Sequence, residues 1–275
     1  MMTQNISVGV SDTTKKHIET MSGRICEVLS DYSPSVYLIG SYVKGDFRAG
    51  WSDIDILTLT DRPITRDKAS ELLYLRQHLS SRNRVHDTMR IFEGGFLSSE
   101  AFVSEKADTV VYWGASGERI TRRYVLSAMS MIDLLDNGIL LSGYDLRGKI
   151  KRPTPEKLRK DMKIYYKNHL AVGNMHHKVV ARAHHQAEKT LSIARCLYTL
   201  ETGRVVSKTV AGEISIEMKW CPDTEMMRRM LEVRKNPDVY LSDETVIKWL
   251  LAQSSSIEPF AKMLEDRLCI NSGEC

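Results

Sequence analysis

The chain has 275 residues, 42% hydrophobic and 27% charged, with a net charge of +4. That length suits one large domain or two of ordinary size, and the composition is that of a folded globular protein, not a disordered or fibrous one. No apolar run reaches the roughly 18 residues of a membrane span, the start MMTQNISVGVSDTTKK lacks the order of a signal peptide, and a mild positive balance does not demand nucleic acid. These features lead to the expectation of a cytoplasmic protein, monomer or homodimer, with no membrane partner. The five cysteines, Cys26, Cys196, Cys221, Cys269 and Cys275, form no CxxC pair and read as free thiols of a reducing compartment.

In chain order, residues 12–30 place Ile18, Met21, Ile25, Val28 and Leu29 at helical spacing, with Ser11 or Asp12 as N-cap. SVYLIG is a predicted strand, YVKGDF a short helix, and DIDILTLT the next strand. TRDKASELLYLRQHLSS reads as a helix. RVHDTMRIF alternates Val85, Asp87, Met89 and Ile91 on one side and reads as a third strand, DTVVYWG as a fourth. RRYVLSAMSMIDLLDNG is a predicted helix ending at Gly138, followed by the apolar segment ILLSGYD. RGKIKRPTPEK then has the composition of a linker. Beyond it the pattern is helical over 155–171, 174–202, 207–219, 223–235 and 242–268, with Thr154 before Pro155 as a helix start. The predicted class is α+β: a mixed N-terminal domain over 1–147 and an all-helical C-terminal domain over 148–275.

GSYVKGDFRAGWSDIDILTLT, residues 40–60, sets aspartates inside a strand-like run. Residues i and i+2 of a strand share a face, so Asp53 and Asp55 would project together while Ile54 and Ile56 enter the core. Adjacent carboxylates in a low dielectric repel, and a divalent cation removes the conflict. Mg²⁺ suits such hard oxygens, taking one or two carboxylates plus substrate phosphates. Upstream, Gly40 allows a close backbone approach to phosphate, and Ser41 adds a hydroxyl and an N–H at an expected helix N-terminus. A phosphate cradle followed by a DxD pair is what polyphosphate transfer requires.

Gly40, Ser41, Ser52, Asp53 and Asp55, framed by apolar strands, together resemble the signature of the nucleotidyltransferase superfamily with the DNA polymerase β-like fold. That superfamily adds a third acid from a neighbouring strand. Asp87, mid-strand in RVHDTMRIF, is the leading candidate, as metal ligand or general base, and Glu93 in FEGG, beside an apparent turn, is second. LSIARCLYTLETGRVVSK, with Arg195, Tyr198, Thr202, Gly203 and Lys208, is similar to the helical domain of aminoglycoside 3''-adenylyltransferases. MLEVRK and GILLSG are looser matches, and the resemblance spans residues 36–235.

What this resemblance implies is a polymerase β-like domain followed by a helical bundle, closing a cleft over nucleotide and acceptor. Asp53, Asp55 and Asp87 would hold two Mg²⁺ ions or, for Asp87, act as base. Gly40, Ser41, Ser52, Arg195 and Lys208 would contact ATP, with Arg195 and Lys208 balancing phosphate charge. Trp113 falls near a tryptophan on the acceptor side, where it would stack on substrate, or else is core. The partners implied are a nucleoside triphosphate and a small-molecule hydroxyl acceptor; RNA or protein acceptors and a non-catalytic nucleotide-binding module are alternatives. Two departures stand out. Asp replaces Glu at 87, and AHHQ (183–186) stands where the family has an acid that holds the cationic antibiotic.

His176, His177, His184 and His185 lack an acid or cysteine at ligand spacing and read as a solvated helical face, as do the basic segments RGKIKR and EKLRKDMK. The C-terminal helices lack the Arg-to-His spacing of the ribonuclease domains that accompany some small nucleotidyltransferase domains.

Overall fold

The computed structural model of the chain describes residues 12–82, 91–114, 117–122, 124–171 and 178–269. Two compact units divide it. The first comprises Met1–Phe47, Ser52–Leu126 and Asp133–Arg152; the second comprises Arg48–Trp51, Ser127–Ile132 and Pro153–Cys275.

The first unit is built on a six-stranded sheet. Its strands are β1 (Ser35–Ile39), β2 (Ile54–Thr60), β3 (Phe92–Ser98), β4 (Val110–Gly114), β5 (Gly117–Thr121) and β6 (Ile139–Ser142), in the order β5-β4-β3-β2-β1-β6. The β2–β3 pairing is parallel and the others are antiparallel. A parallel pair needs a crossover, and α2 (Arg66–Arg82) lies on it. The strand β2 is central, and Ile54, Ile56, Leu57 and Leu59 are buried on its two faces. With Ile54 and Ile56 packs α1 (Asp12–Val28), whose Ile18, Met21 and Ile25 form one helical stripe.

The remaining helices are α3 (Ser99–Ser104), α4 (Ala128–Asn137), α5 (Pro155–Tyr165), α6 (Val179–Thr202), α7 (Lys208–Glu217), α8 (Thr224–Lys235), α9 (Pro237–Tyr240), α10 (Glu244–Leu251) and α11 (Ser254–Arg267). From α5 onward they form the second unit around a separate core that includes Leu191, Leu197, Met227, Met230, Leu250, Phe260 and Leu264. The start of α5 follows from its residues: Pro155 occupies the first turn, and Thr154 Oγ1 accepts from Lys157 N at 3.2 Å. The end of α6 is set by Gly203, which takes the left-handed conformation at φ 64°.

Several expectations need correction. Residues 40–45 form hydrogen-bonded turns, not a helix: Gly45 N donates to Tyr42 O and Asp46 N to Ser41 O, and Gly45 is left-handed at φ 67°. The anion cradle at Gly40–Ser41 is therefore a turn, without a helix N-terminus. Asp53 precedes β2 and is exposed; the strand begins at Ile54, and Asp55 is half-buried within it. Most of the expected third strand, residues 83–90, lies outside the described residues, whereas FEGGFLS, read as turn-like, is strand β3. Its glycines answer to packing. A Cβ on Gly94 would overlap Ile56 O of β2, and one on Gly95 would stand 2.8 Å from the Tyr124 ring. The expected helix 242–268 is two helices, because Ala252 N donates to Lys248 O and Trp249 O, and Gln253 Nε2 caps Trp249 O at 2.9 Å. Cys26, Cys196 and Cys221 are free thiols, but Cys269 is disulfide-bonded, which the all-thiol expectation did not include. No helix among the described residues is long and apolar enough to cross a membrane.

Candidate functional site

The first unit assembles the DxD region by strand register. Asp55 pairs with Ile39 of β1 on one side and with Glu93 of the parallel β3 on the other. Laterally paired residues of a sheet project to the same face, so the Asp55 and Glu93 carboxylates are neighbours. Their charges act on the same pair of phenols. Burial raises the pKa values of Tyr112 and Tyr124, and Asp55 and Glu93 raise them further. Gly40 follows Ile39 directly and is left-handed at φ 80°, and a Cβ there would overlap the Asp55 carboxylate. Glycine is required at 40 because the chain turns over a carboxylate. Ser41 is half-buried in this turn, and Ser52 is buried immediately before Asp53.

The turn is held from below. Asp133 on α4 accepts from Gly40 N at 3.2 Å, from Lys44 Nζ at 2.5 Å and, through its other oxygen, from Asn137 Nδ2 at 2.9 Å. The Lys44 and Asp133 side chains are only 7% and 8% exposed. Removing one partner of such a pair strands the other charge. Asp133→Ala is therefore expected to lower unfolding stability by roughly 3–5 kcal/mol. Urea unfolding checks this, and a loss within 1 kcal/mol would show that the pair does not hold the turn.

In the second unit, α6 presents Glu188 and Arg195 two turns apart. Glu188 Oε1 accepts from Trp51 Nε1 at 2.5 Å and from Arg234 Nη1 at 2.8 Å, while Oε2 accepts from Lys208 Nζ. Burial lowers the Lys208 pKa, Glu188 raises it, and the charges of Arg195 and Arg234 lower it further. Glu188 thus pairs with two cations, and Arg195 acts on one of them. Arg195 Nε is buried with no hydrogen-bond partner among the described residues. A largely buried group of cations, one with a guanidinium N–H that finds no partner among the described residues, suits an anion. Burial raises the Glu188 pKa, but Lys208 and Arg234 outweigh it and hold the carboxyl at about 2, from 4.5.

The sign for stability follows. The carboxylate's contribution is complete above the unfolded value near 4.5 and is lost as pH falls toward 2. Its size is about 3 kcal/mol. Unfolding measured between pH 6 and pH 3 is expected to fall more steeply for the native chain than for Glu188→Gln; parallel curves would contradict this linkage.

The structure brings Gly40, Ser41, Asp53, Asp55 and Glu93 to one end of strands β1, β2 and β3, and Arg195 and Lys208 into one electrostatic cluster. Asp87 lies outside the described residues, as do His176 and His177. Trp113 is fully buried in β4 against Phe96, ring centroids 4.5 Å apart, so it has no exposed face for a substrate and belongs to the core. His184 does not belong to a solvated face. It packs edge-on against Trp51 at 4.1 Å, and burial lowers its pKa. The reading of the residues ranked Glu93 second and passed over Glu188, Trp51, Lys44 and Asp133. The available signals were an acid two helical turns before Arg195 and a parallel-strand pattern in FEGGFLS.

The residues present fit a hard cation at Asp53 and Asp55 only in part. No cluster of three or more potential metal-ligating side chains able to hold an ion occurs among the described residues. Two carboxylates with phosphate oxygens as the remaining donors is a sufficient set for Mg²⁺.

Residues 20–93 match the family model described as nucleotidyltransferase domain. The fold is similar to that of spectinomycin adenyltransferase AAD(9) from Enterococcus faecialis, in a crystal structure with ATP and spectinomycin. The similarity has a TM-score of 0.63 at 15% identity, over 92% of this chain and 98% of that one. No curated protein gives a significant match. Residues 20–93 are thus similar to a nucleotidyltransferase domain, and the fold, a mixed sheet followed by a helical region, is like that of the adenyltransferase structure.

Proposed function

We propose, from the nucleotidyltransferase domain at residues 20–93, that the chain transfers AMP from ATP to the hydroxyl of a small-molecule acceptor of the aminoglycoside kind. The observation that carries this reading is the register that sets Asp55 between the Gly40 turn and Glu93. Asp53 and Asp55 hold Mg²⁺, which when bound neutralises charge on the α-phosphate and the pyrophosphate leaving group. The Ser41 N–H and hydroxyl, which the glycine at 40 lets a phosphate approach, and the Ser52 hydroxyl seat phosphate oxygens. Arg195 and Lys208 bind phosphate charge, a role supported by the cations around Glu188. Glu93 receives the proton of the acceptor hydroxyl, with Asp87 as the alternative. The acceptor oxygen bonds to the α-phosphorus, the bond from that phosphorus to the bridging oxygen breaks, and pyrophosphate leaves.

The acceptor class is supported by fold likeness to a structure holding ATP and spectinomycin. His184 and His185 make the acceptor a matter for direct assay, because an imidazole does not attract a cationic sugar as a carboxylate does. The test is pyrophosphate release from ATP and Mg²⁺ against spectinomycin, streptomycin, other aminoglycosides, lincosamides and tRNA, with Asp53→Asn as control. Release with one antibiotic, lost in the variant, is the expected result. Label on tRNA alone would replace the acceptor class. ATP bound without release over the whole panel would replace the enzyme by a binding module.

A further inference from the structure

The segment Arg48–Trp51 packs with the helical unit although it sits in sequence between β1 and β2. It is fastened there at Trp51 and lies close against α9 at Gly50. Trp51 is 7% exposed, its Nε1 donates to Glu188 Oε1 at 2.5 Å, and its ring meets His184 edge-on. The Arg234 guanidinium carbon lies 6.0 Å from the centroid of the same ring. A Cβ on Gly50 would stand 3.1 Å from Asp238 Oδ1 of α9. The chain runs from this anchored tryptophan straight into Ser52 and Asp53.

We propose that Glu188 is a positioning residue that clamps Trp51, and through the two residues that follow it sets the metal-binding carboxylate of Asp53, while the same carboxylate aims Lys208. The inference rests on the nucleotidyltransferase reading for its consequence, though not for the clamp itself. The bond is charge-assisted: a carboxylate held ionised by Lys208 and Arg234 accepts from an indole N–H that has no other role. A tryptophan buried in a loop needs a partner for that N–H, and Glu188 supplies it. A carboxylate serving only to neutralise Lys208 and Arg234 would not need the indole. Trp51 instead makes the position of the loop depend on the charge state of the cation cluster.

Two variants separate this from a merely structural role. Trp51→Phe keeps a ring against His184 and removes the donor; Glu188→Gln keeps the shape and removes the charge. The first readout is the indole ¹⁵N–¹H resonance of Trp51 in the full chain, identified by its loss in Trp51→Phe. It is expected to lie downfield in the native chain and to move upfield in Glu188→Gln. An unmoved resonance overturns the clamp whatever the protein catalyses. The second readout is the Mg²⁺ concentration that half-saturates the ATP-induced shift in melting temperature, with MgCl₂ and ATP as probes. It is expected to rise about tenfold in both variants, while in Trp51→Phe the shift given by ATP without Mg²⁺ stays as in the native chain. A value within twofold of native in Trp51→Phe overturns the link to Asp53, even if that variant melts earlier. No Mg²⁺-dependent shift in the native chain would refute the nucleotidyltransferase reading and this consequence with it, leaving the resonance to judge the clamp.

Discussion

Asp55→Asn is expected to reduce nucleotidyl transfer by roughly 10³-fold or more while leaving the protein as stable as before, or slightly more so. The two halves of this expectation have one cause. Asp55 and Glu93 are lateral neighbours on adjacent strands, which in a sheet lie about 4.8 Å apart. Two carboxylates at that spacing repel by about 3 kcal/mol at an effective dielectric of 20, reduced by the solvent both half-buried groups still see. The Gly40 turn passes over the same carboxylate without room for a Cβ. Asparagine relieves the repulsion and keeps the shape, but it removes a charge that a divalent cation needs. Pyrophosphate release and thermal unfolding of the one variant decide the matter. Transfer within tenfold of native would remove Asp55 from the metal site, and a melting temperature lowered by several degrees would make it a structural residue.

How much of this was legible differs from residue to residue. The apolar run of β2 and the Gly40–Ser41 turn could be read directly, because local sequence carries both burial and left-handed backbone. The helices of the second unit were legible from spacing, apart from the single turn of α9, which fell between two predicted ranges, and the break at Ala252–Gln253, where capping of Trp249 O by a glutamine side chain has no periodic signal. Strand β3 was misread since Gly94 and Gly95 look like punctuation. Their reason, close approach to Ile56 and Tyr124, involves residues distant in sequence. Glu93 was demoted with the strand. Glu188 and Asp133 escaped notice for a related reason. A lone acid on a helix reads as solvated, and only tertiary structure shows that one carboxylate gathers Trp51, Lys208 and Arg234, and the other Lys44 and the Gly40 N–H. Charge compensation at the site is a property of register and packing, which local periodicity does not encode.

Glu93→Gln is the sharpest test of the site, because it sets two carboxylates against each other. The sequence pattern favoured Asp87 as the third acid; the β2–β3 register favours Glu93. In a parallel pair the partner of Asp55 shares its face and its depth, and Glu93 is half-buried, as a group that must meet both solvent-borne acceptor and metal-bound phosphate has to be. Glutamate also reaches one methylene further than aspartate toward a hydroxyl. If Glu93 takes the acceptor proton, Glu93→Gln lowers kcat roughly 10²–10⁴-fold, the usual span for a general base. ATP binding in the presence of Mg²⁺ is kept, since Asp53 and Asp55 are intact, so KM for ATP stays within a few-fold. The acid limb of the kcat–pH profile, which reports ionisation of the base, disappears with it. Asp87→Asn is expected to leave kcat within threefold. The reverse pattern, with Asp87→Asn silent and Glu93→Gln active, would return the proton to the acid that the sequence pattern first favoured and leave Glu93 as a neighbour whose charge only tunes Asp55. Loss of ATP binding in Glu93→Gln would instead make Glu93 a third metal ligand, with the base still to be sought on the acceptor side.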